Sequence, residues 1–435
     1  MKIAWFKEMI SPEIGACVAG YDLHDVSTAK LDDLYACGLC CDDGTNRVLI
    51  VSFDLLGMDQ WFIGKLRRTC AEILGVSEDA VLFSCTHTHS GPETRTMAAY
   101  PELLNRPYLE KLERQIADAV RSLAKTEFRA CDAYYYSCRC DANRNRRYVT
   151  ADNHATFTPH RREVVPVADG FADKELCELA FFEPGTGIPL YVIGNYAAHP
   201  LAGHAPGLGG HRISADYPGA FRDYVTAETG AECMFVSGAA GDLVPQEDEL
   251  GSAAVREMGV KLGKAAIGGL VDVPRNPARF LMKDAKVGSC IRTFTVPLRS
   301  KYRRNPKRLP EMYLGKDDVE LEIQCVAVGD FCFVGGPGEL CCVLGQEIKW
   351  HSPFRRTCIA YNSTAYFSYM GHANMLVAGG YEAFSQRFSA RGGLTLLQTA
   401  SDAMFDLRET LFPSEGEEKY PDALETPLVC IPPNY

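Results

Sequence analysis

The sequence predicts a mixed α/β fold of the α+β type, in which a mixed sheet core is flanked by helices and carries several hairpins. Helical and strand-like periodicities alternate along the 435 residues, and two glycine-containing turns join neighbouring apolar runs. No segment repeats at a fixed period, which disfavours a solenoid. We therefore expect one domain over residues 1–435, with its active site in loops at the ends of strands.

The individual elements follow from the spacing of apolar residues and from the turn residues between them. Apolar residues at helical spacing predict helices over residues 59–74, 108–125, 217–228, 253–270 and 340–349. Short apolar runs predict strands over residues 80–85, 134–136, 175–182, 190–196, 233–236, 319–328 and 331–334. The turn at residues 184–187 and the Gly329-Asp330 pair predict hairpins. The basic, proline-bearing stretch over residues 301–318 is predicted to be a solvated connection.

Composition excludes several classes of protein. Apolar residues make up 46% and charged residues 23%, which excludes disordered and coiled-coil chains. The 45 basic and 56 acidic residues give a net charge of −11, which repels nucleic acid and anionic membrane surfaces. The 18 cysteines are spread along the chain, and neither an export signal nor a membrane-spanning run is visible. We expect a cytoplasmic protein that binds a small molecule, with its oligomeric state left open.

Four strand-like runs open into loops whose residues are unusual for loops selected only for solubility. Their sequences are THTHSGP at residues 86–92, NYAAHP at 195–200, GAAGD at 238–242 and GGPGE at 335–339. Loops held at strand ends by a rigid sheet are where catalytic groups concentrate. The four loops therefore predict one shared site.

The histidines in these loops suggest a metal site. His87 and His89 are separated by one residue, so an extended backbone turns both imidazoles to the same side, and one or both can bind a metal. Taken singly, each histidine is more often a hydrogen-bonded core or surface residue. Adding His199 and Glu339 gives a His/His/carboxylate set, which is common in catalytic zinc sites. We expect one Zn²⁺ per chain, although another divalent metal could replace it in the cell.

Two aspartates are candidates to orient a metal-binding histidine from behind. Asp242 follows the Gly-Ala-Ala-Gly loop and is positioned for this role. Asp216 could do the same, but an aspartate before Tyr-Pro is equally well explained as a helix N-cap.

The ordered motifs resemble the neutral/alkaline non-lysosomal ceramidases. Besides the four loops, the opening ISPEIG and AGYD segments and the later YFSYM and GGYE segments carry this resemblance, from about residue 10 to 381. That family consists of zinc-dependent amidases. The resemblance implies His87, His199, Glu339 and Tyr369 as the zinc ligands and His89 as the group that stabilises or protonates the reacting atoms. It also implies Arg144 as a substrate contact.

Two more residues are predicted to bind substrate, and two features depart from the family. Tyr381 of the GGYE segment and His204 of a glycine-rich loop are expected to border the cleft. Val244 stands where the family has a serine, so we expect no serine-dependent step at that position. Neither a C-terminal immunoglobulin-like domain nor a secretion signal is expected.

Together these features predict a zinc-dependent hydrolase, either an amidohydrolase or an esterase or lactonase. It would cleave an amide, ester or lactone bond of a small polar substrate by metal-bound hydroxide. The predicted catalytic residues are His89, Glu339, Arg144 and Asp242. Two alternatives remain. The missing serine is consistent with an inactive, metal-stabilised binding or regulatory module, and the family resemblance with a true ceramide amidase.

Overall fold

The computed structural model consists of three main β-sheets and the helices that cover them. It describes residues 1–21, 24–97, 99–150, 153–156, 166–169, 171–203, 211–246, 251–307 and 309–413. The strands of this described part are β1 Lys2–Met9, β2 Ser27–Lys30, β3 Tyr35–Asp42, β4 Arg47–Phe53, β5 Val81–Cys85, β6 Arg129–Ala130, β7 Asp132–Arg139, β8 Asn143–Asn145, β9 Tyr148–Thr150, β10 Ala155–Thr156, β11 Pro166–Asp169, β12 Glu175–Phe182, β13 Pro189–Tyr196, β14 His211–Ile213, β15 Glu232–Ser237, β16 Leu243–Pro245, β17 Val287–Pro297, β18 Asp318–Val328, β19 Phe331–Gly335, β20 Glu339–Leu340, β21 Arg356–Ala360 and β22 Tyr369–Met370.

The helices lie between and after these strands. The α-helices are α1 Gln60–Leu74, α2 Arg106–Leu123, α3 Asp216–Thr229, α4 Ser252–Asp272, α5 Pro277–Phe280, α6 Ser300–Arg304, α7 Cys342–Trp350, α8 Ala373–Ala378, α9 Gly380–Ser385 and α10 Ala390–Leu411. Short 3-10 helices cover Glu78–Ala80, Pro101–Leu103, Val273–Arg275 and Glu311–Tyr313. None of these helices combines the length and the hydropathy needed to cross a bilayer.

One topology occurs in all three main sheets. Their strand orders are β5-β4-β3-β1-β6, β15-β13-β12-β7 and β21-β19-β18-β17. In each sheet an antiparallel hairpin leads into a helix and then into a parallel strand, because α1 connects β4 to β5, α3 connects β13 to β15, and α7 connects β19 to β21. A second long helix, α2, α4 or α10, follows each parallel strand. The predicted α+β class is confirmed.

The three sheets turn their inner faces to a common apolar core. Ile50 and Leu82 come from the first sheet, Leu179 and Ile193 from the second, and Phe333 from the third. The outer faces pack against the helix pairs α1 and α2, α3 and α4, and α7 and α10. Successive side chains of a strand point to opposite faces of its sheet. Since both faces of the three main sheets are covered, apolar residues lie on both faces.

The carboxyl ends of the three parallel strands meet at one place. The backbone N–H of Tyr361, after β21, donates to the carbonyl of Ser237 at the end of β15, at 3.0 Å. The Ser237 hydroxyl donates to the carbonyl of Thr86, after β5, at 2.8 Å. The backbone N–H of Cys85 donates to the carbonyl of Tyr361 at 3.3 Å. The loops that leave these strands therefore start side by side.

Most of the predicted elements are confirmed, and one interpretation is wrong. The helices predicted at residues 59–74, 108–125, 217–228, 253–270 and 340–349 correspond to α1, α2, α3, α4 and α7, and both predicted hairpins are present. The stretch over residues 301–318 is not simply a solvated connection, because Leu309 and Tyr313 are buried in the core under α7 and α10. The cytoplasmic location and the single domain stay predictions.

Candidate metal centre

His87 is the second residue of the first site loop, one residue beyond Thr86, which follows β5. Its backbone has a φ of 71°, a left-handed conformation that is uncommon for residues with a side chain. Its Nδ1 donates to the carbonyl oxygen of Leu56 at 2.8 Å. The side-chain nitrogen of Asn362 lies 2.9 Å from the same Nδ1. A ring nitrogen that donates to a backbone carbonyl leaves the other nitrogen with its lone pair free to bind a metal. Nε2 of His87 therefore faces inward as a potential ligand.

His199 follows β13 and is oriented in the same way. Its Nδ1 lies 2.6 Å from the carbonyl oxygen of Ala240, in the loop after β15, and 3.1 Å from that of Leu243, the first residue of β16. Burial, reinforced by the positive charge of Arg146, lowers the pKa of His199 to about 4. The imidazole is neutral at neutral pH, which is the protonation state that a metal ligand requires.

Glu339 lies opposite both histidines. Its Oε2 is 3.3 Å from Nε2 of His87 and 3.2 Å from Nε2 of His199, and the side chain is fully buried. The hydroxyl of Tyr366 donates to Oε1 at 2.6 Å and that of Tyr361 to Oε2 at 3.3 Å.

The turn before Glu339 leaves no room for larger residues. A Cβ atom at Gly338 would lie 2.5 Å from the carbonyl oxygen of Ser368. This glycine permits β20 to run beside β22, a pairing that sets Glu339 directly opposite Tyr369. Close backbone packing thus brings two of the predicted ligands together.

The donor atoms fit a divalent cation. With both Nδ1 atoms donating to carbonyls, the Nε2 lone pairs of His87 and His199 point at a carboxylate oxygen, and a cation between them removes the repulsion. Nitrogen atoms of His87, His89 and His199 all lie within 4.8 Å of one another. Two or three imidazoles with one carboxylate suit zinc better than calcium or magnesium, which prefer oxygen ligands.

His89 belongs to the same group but is held differently. Its Nε2 lies 3.2 Å from Nε2 of His87, while its buried Nδ1 has no hydrogen-bond partner among the described residues. Burial, together with His87 and His199, lowers the pKa of His89 well below its ordinary value. Nε2 of His89 can donate to the lone pair on Nε2 of His87, and once a metal binds that lone pair either ring nitrogen of His89 can carry the proton.

Tyr369 lies at the edge of this group, held by an arginine that the sequence analysis missed. Its ring is stacked 6.5 Å from that of His199, and Arg146 donates to its hydroxyl at 3.0 Å. Burial and the charge of Glu339 raise the pKa of Tyr369 well above its ordinary value, although Arg146 opposes them. Arg146 is itself fixed by the fully buried Glu382, to which it donates at 2.7 Å.

Arg144 and Asp242, both predicted catalytic residues, contact parts of the chain next to the metal-binding histidines, and their catalytic roles stay predictions. Arg144 lies on β8 opposite Val244, donates to the hydroxyl of Tyr148 at 3.3 Å and is not among the residues that line the cavity. Asp242 accepts from the backbone of Cys342 at 2.7 Å and from the amide of Asn145 at 2.9 Å. Asp242 therefore supports His199 indirectly, because it belongs to the 240–243 segment whose carbonyl oxygens accept from the imidazole.

Asp216 binds the backbone at the start of α3. It is the first residue of α3, with a φ of 58°, and it accepts from the backbone of Gly203 at 2.6 Å. This bond ties the segment after His199 to the start of the helix. His204 lies outside the described residues.

His89, Glu339, Tyr366 and Tyr369 line a cavity of about 710 Å³. His87 and His199 are not lining residues, but their Nε2 atoms lie within 3.3 Å of Glu339. Tyr381, predicted to bind substrate, lines the cavity, is 48% exposed and packs against Tyr369 with ring centres 5.4 Å apart. A small molecule that enters can thus reach the metal-binding group.

Comparisons with known proteins identify the fold. No protein-family model and no curated protein matches the sequence. Among solved structures, neutral ceramidase from Pseudomonas aeruginosa superimposes with a TM-score of 0.75 at 18% identity, over 94% of this chain and 74% of that one. A ceramidase complexed with C2 gives the same TM-score and identity over 94% and 75%. The expectation drawn from the motifs is confirmed at the level of the fold: this chain has the neutral ceramidase fold.

Proposed function

We propose that this chain is a zinc-dependent hydrolase that cleaves an amide bond, or a related ester or lactone bond, of a small substrate. The observation that carries the proposal is that two imidazoles, each anchored by a backbone carbonyl, meet one oxygen of Glu339 within 3.3 Å. The structures that share the fold are ceramidases, and the sequence motifs resemble a family of zinc-dependent amidases.

His87, His199, Glu339 and Tyr369 would hold the metal. A zinc ion bound there supplies a water molecule whose pKa is lowered to about 7 and polarises a substrate carbonyl. The carbonyls of Leu56 and Ala240 fix the two imidazoles. Tyr366 fixes Glu339 through Oε1 and leaves Oε2 facing the histidines. These bonds hold the donor atoms in place before substrate arrives, so little reorganisation is needed.

His89 is the residue we assign to the reacting atoms themselves. It lines the cavity, and its imidazole is held neutral by burial, so one N–H is available to donate to the substrate carbonyl oxygen. A hydrogen bond that strengthens as negative charge develops on that oxygen contributes roughly 3 kcal/mol in acyl-transfer enzymes. Glu339, which lines the cavity and faces both histidines, is the carboxylate we assign to carry a proton towards the leaving group.

Arg146 has a positioning role in this scheme. Its guanidinium donates to the hydroxyl of Tyr369, and its centre lies 5.7 Å from the ring centres of both Tyr369 and Tyr381. A positive charge at the phenol oxygen favours the deprotonated form, which is the form that binds a metal.

Metal analysis combined with a substrate panel tests the proposal. Protein purified without chelator should carry about one zinc per chain, and His87→Ala and His199→Ala variants should lose it. His351→Ala is the matched control, because His351 is exposed at the end of α7. The panel consists of N-acyl amides, esters, lactones and a short-chain ceramide.

Each result of the panel has a distinct meaning. Hydrolysis that chelator abolishes and zinc restores supports the proposal, and release of fatty acid from the ceramide would extend it to that substrate. A protein that binds zinc but turns over nothing is better described as a metal-stabilised binding module. Protein that binds no metal under any condition contradicts the proposal outright.

A further inference from the structure

The stretch over residues 299–307 contributes to one wall of the cavity. Lys301, Tyr302, Asn305 and Lys307 all line it. The stretch is fixed to the end of α9, because Tyr302 donates to the carbonyl of Ser385 at 2.8 Å and Arg299 to that of Gln386 at 3.0 Å. Two of its basic residues, Lys301 and Lys307, therefore belong to the wall of the site.

The charge of Lys301 is not balanced by an acid. Its ammonium group donates to the carbonyl oxygen of Phe384 and lies over the rings of Phe384 and Tyr302, 3.7 and 4.8 Å from their centres. Within the described ranges, no carboxylate is among these contacts. Burial, with a further contribution from Arg299, lowers the pKa of Lys301 to about 8. An anion bound beside this ammonium group would stabilise its charged form.

The other charges of the lining leave the cavity positive. Glu93 is neutralised by Arg95, which donates to its two oxygens at 2.8 and 2.6 Å. Glu339 belongs to the metal-binding group. Of the other charged lining residues, Lys301 and Lys307 are positive and Asp59 is negative, and the guanidinium of Arg387 adds to the positive side. A positive cavity in a chain whose net charge is −11 is a local feature that attracts and orients an anion.

We propose that this cavity selects acyl substrates whose leaving part carries an anionic group, a carboxylate being the simplest, with Lys301 and Lys307 as the groups that bind it. This inference rests on the proposed hydrolase function and adds its substrate class. The aromatic residues of the same wall, Tyr302 and Phe384, would contact the apolar part of such a molecule.

A pair of matched substrates tests the preference. N-butanoylglycine carries a carboxylate, whereas N-butanoylglycinamide is neutral and nearly the same size. We expect kcat/KM for the first to exceed that for the second by about tenfold or more, since a hydrogen bond to a charged group is stronger than one to a neutral group. Lys301→Met combined with Lys307→Met should abolish the preference, whereas Lys301→Arg, which keeps the charge, should retain most of it. Lys111→Met on the exposed face of α2 is the surface control.

Equilibrium binding separates this inference from the hydrolase proposal. Chelator-treated protein is titrated with each of the two compounds by calorimetry, so that neither metal nor turnover contributes. Tighter binding of N-butanoylglycine, lost in the double variant and weakened by salt, supports the anion site even if the chain hydrolyses nothing. Equal binding and equal hydrolysis of both compounds would overturn the anion site while leaving the hydrolase proposal intact.

Discussion

His199 points its Nε2 at Oε2 of Glu339 across 3.2 Å. Nδ1 of His199 donates to backbone carbonyls, so the proton is on that side of the ring and a lone pair faces the carboxylate. Two facing lone pairs in a fully buried site repel each other. This repulsion is unfavourable in the metal-free protein. A cation bound between the two atoms would attract both of them.

The first prediction concerns the free energy of unfolding. Zinc should stabilise the protein by about 2.7 kcal/mol at a free concentration one hundred times its Kd. Glu339→Gln replaces the charged oxygen with a neutral amide, so the chelated variant should be no less stable than chelated wild type and should gain far less from zinc. Thermal unfolding with chelator and with added zinc measures the stability of each metal-free protein and its gain from zinc. A variant that gains as much as wild type would contradict this account of Glu339.

The second prediction separates His89 from the two anchored histidines. His89 has no partner for Nδ1 in the described part of the chain, whereas Nδ1 of His87 and of His199 is bound by carbonyls. His89→Ala should therefore keep its zinc but lose about 10²- to 10³-fold in kcat, with a smaller change in KM. His199→Ala should lose the zinc. Metal analysis and steady-state kinetics on both variants test this prediction. Loss of metal in His89→Ala would show instead that His89 is a third imidazole ligand.

Much of the fold was predictable because its elements have regular spacing. The helix α1 and the hairpin of β18 and β19 were predicted to within about two residues, since apolar periodicity and the Gly329 turn mark them locally. The threefold recurrence of one topology was not visible. It is a property of strand pairing over long sequence separations, and the three copies share no repeated sequence motif.

The candidate ligands could be predicted from the sequence, but the residues that support them could not. His87, His199 and Glu339 stand in short motifs with unusual composition, and the structure brings them together. Arg146 lies in the run Asn-Arg-Asn-Arg-Arg at residues 143–147, where sequence alone offers several arginines. Side chains alternate along β8, and the turn after it places Arg146 at Tyr369. This placement also depends on the tertiary contact between Arg146 and Glu382.

The third prediction concerns this choice of arginine. Arg146→Met removes the hydrogen bond to the phenol of Tyr369, so zinc affinity should fall by about ten- to a hundredfold, as it does when partners of metal ligands are lost. Tyr369→Phe should have a similar effect, and the double variant should be little worse than either single one. Competition with a zinc-binding dye measures the affinity.

Arg144→Met is the matched control for this series. If Arg144 contacts substrate, as the family resemblance implies, its loss should raise KM and leave zinc affinity unchanged. Additive losses in the Arg146 and Tyr369 double variant would show that the two residues act independently.

The last prediction concerns a buried acid that is not part of the candidate metal centre. Glu178 on β12 is fully buried, and neither oxygen has a hydrogen-bond partner among the described residues. Burial, with a smaller contribution from Cys177, raises the pKa of Glu178 well above its ordinary value. As pH rises past the ordinary carboxyl pKa, the unfolded chain loses this proton while the folded chain keeps it. Stability should then fall by about 1.4 kcal/mol per pH unit until the raised pKa is reached.

Glu178→Gln removes this dependence, because its amide has no proton to lose in this range. The variant should be more stable than wild type at pH 7, and its advantage should grow between pH 5 and pH 8. Urea unfolding at several pH values, with chelator present throughout, measures the difference, and Glu110→Gln on the exposed side of α2 is the control. An advantage that stays constant with pH would mean that Glu178 is already ionised in the folded chain, held by a partner such as buried water.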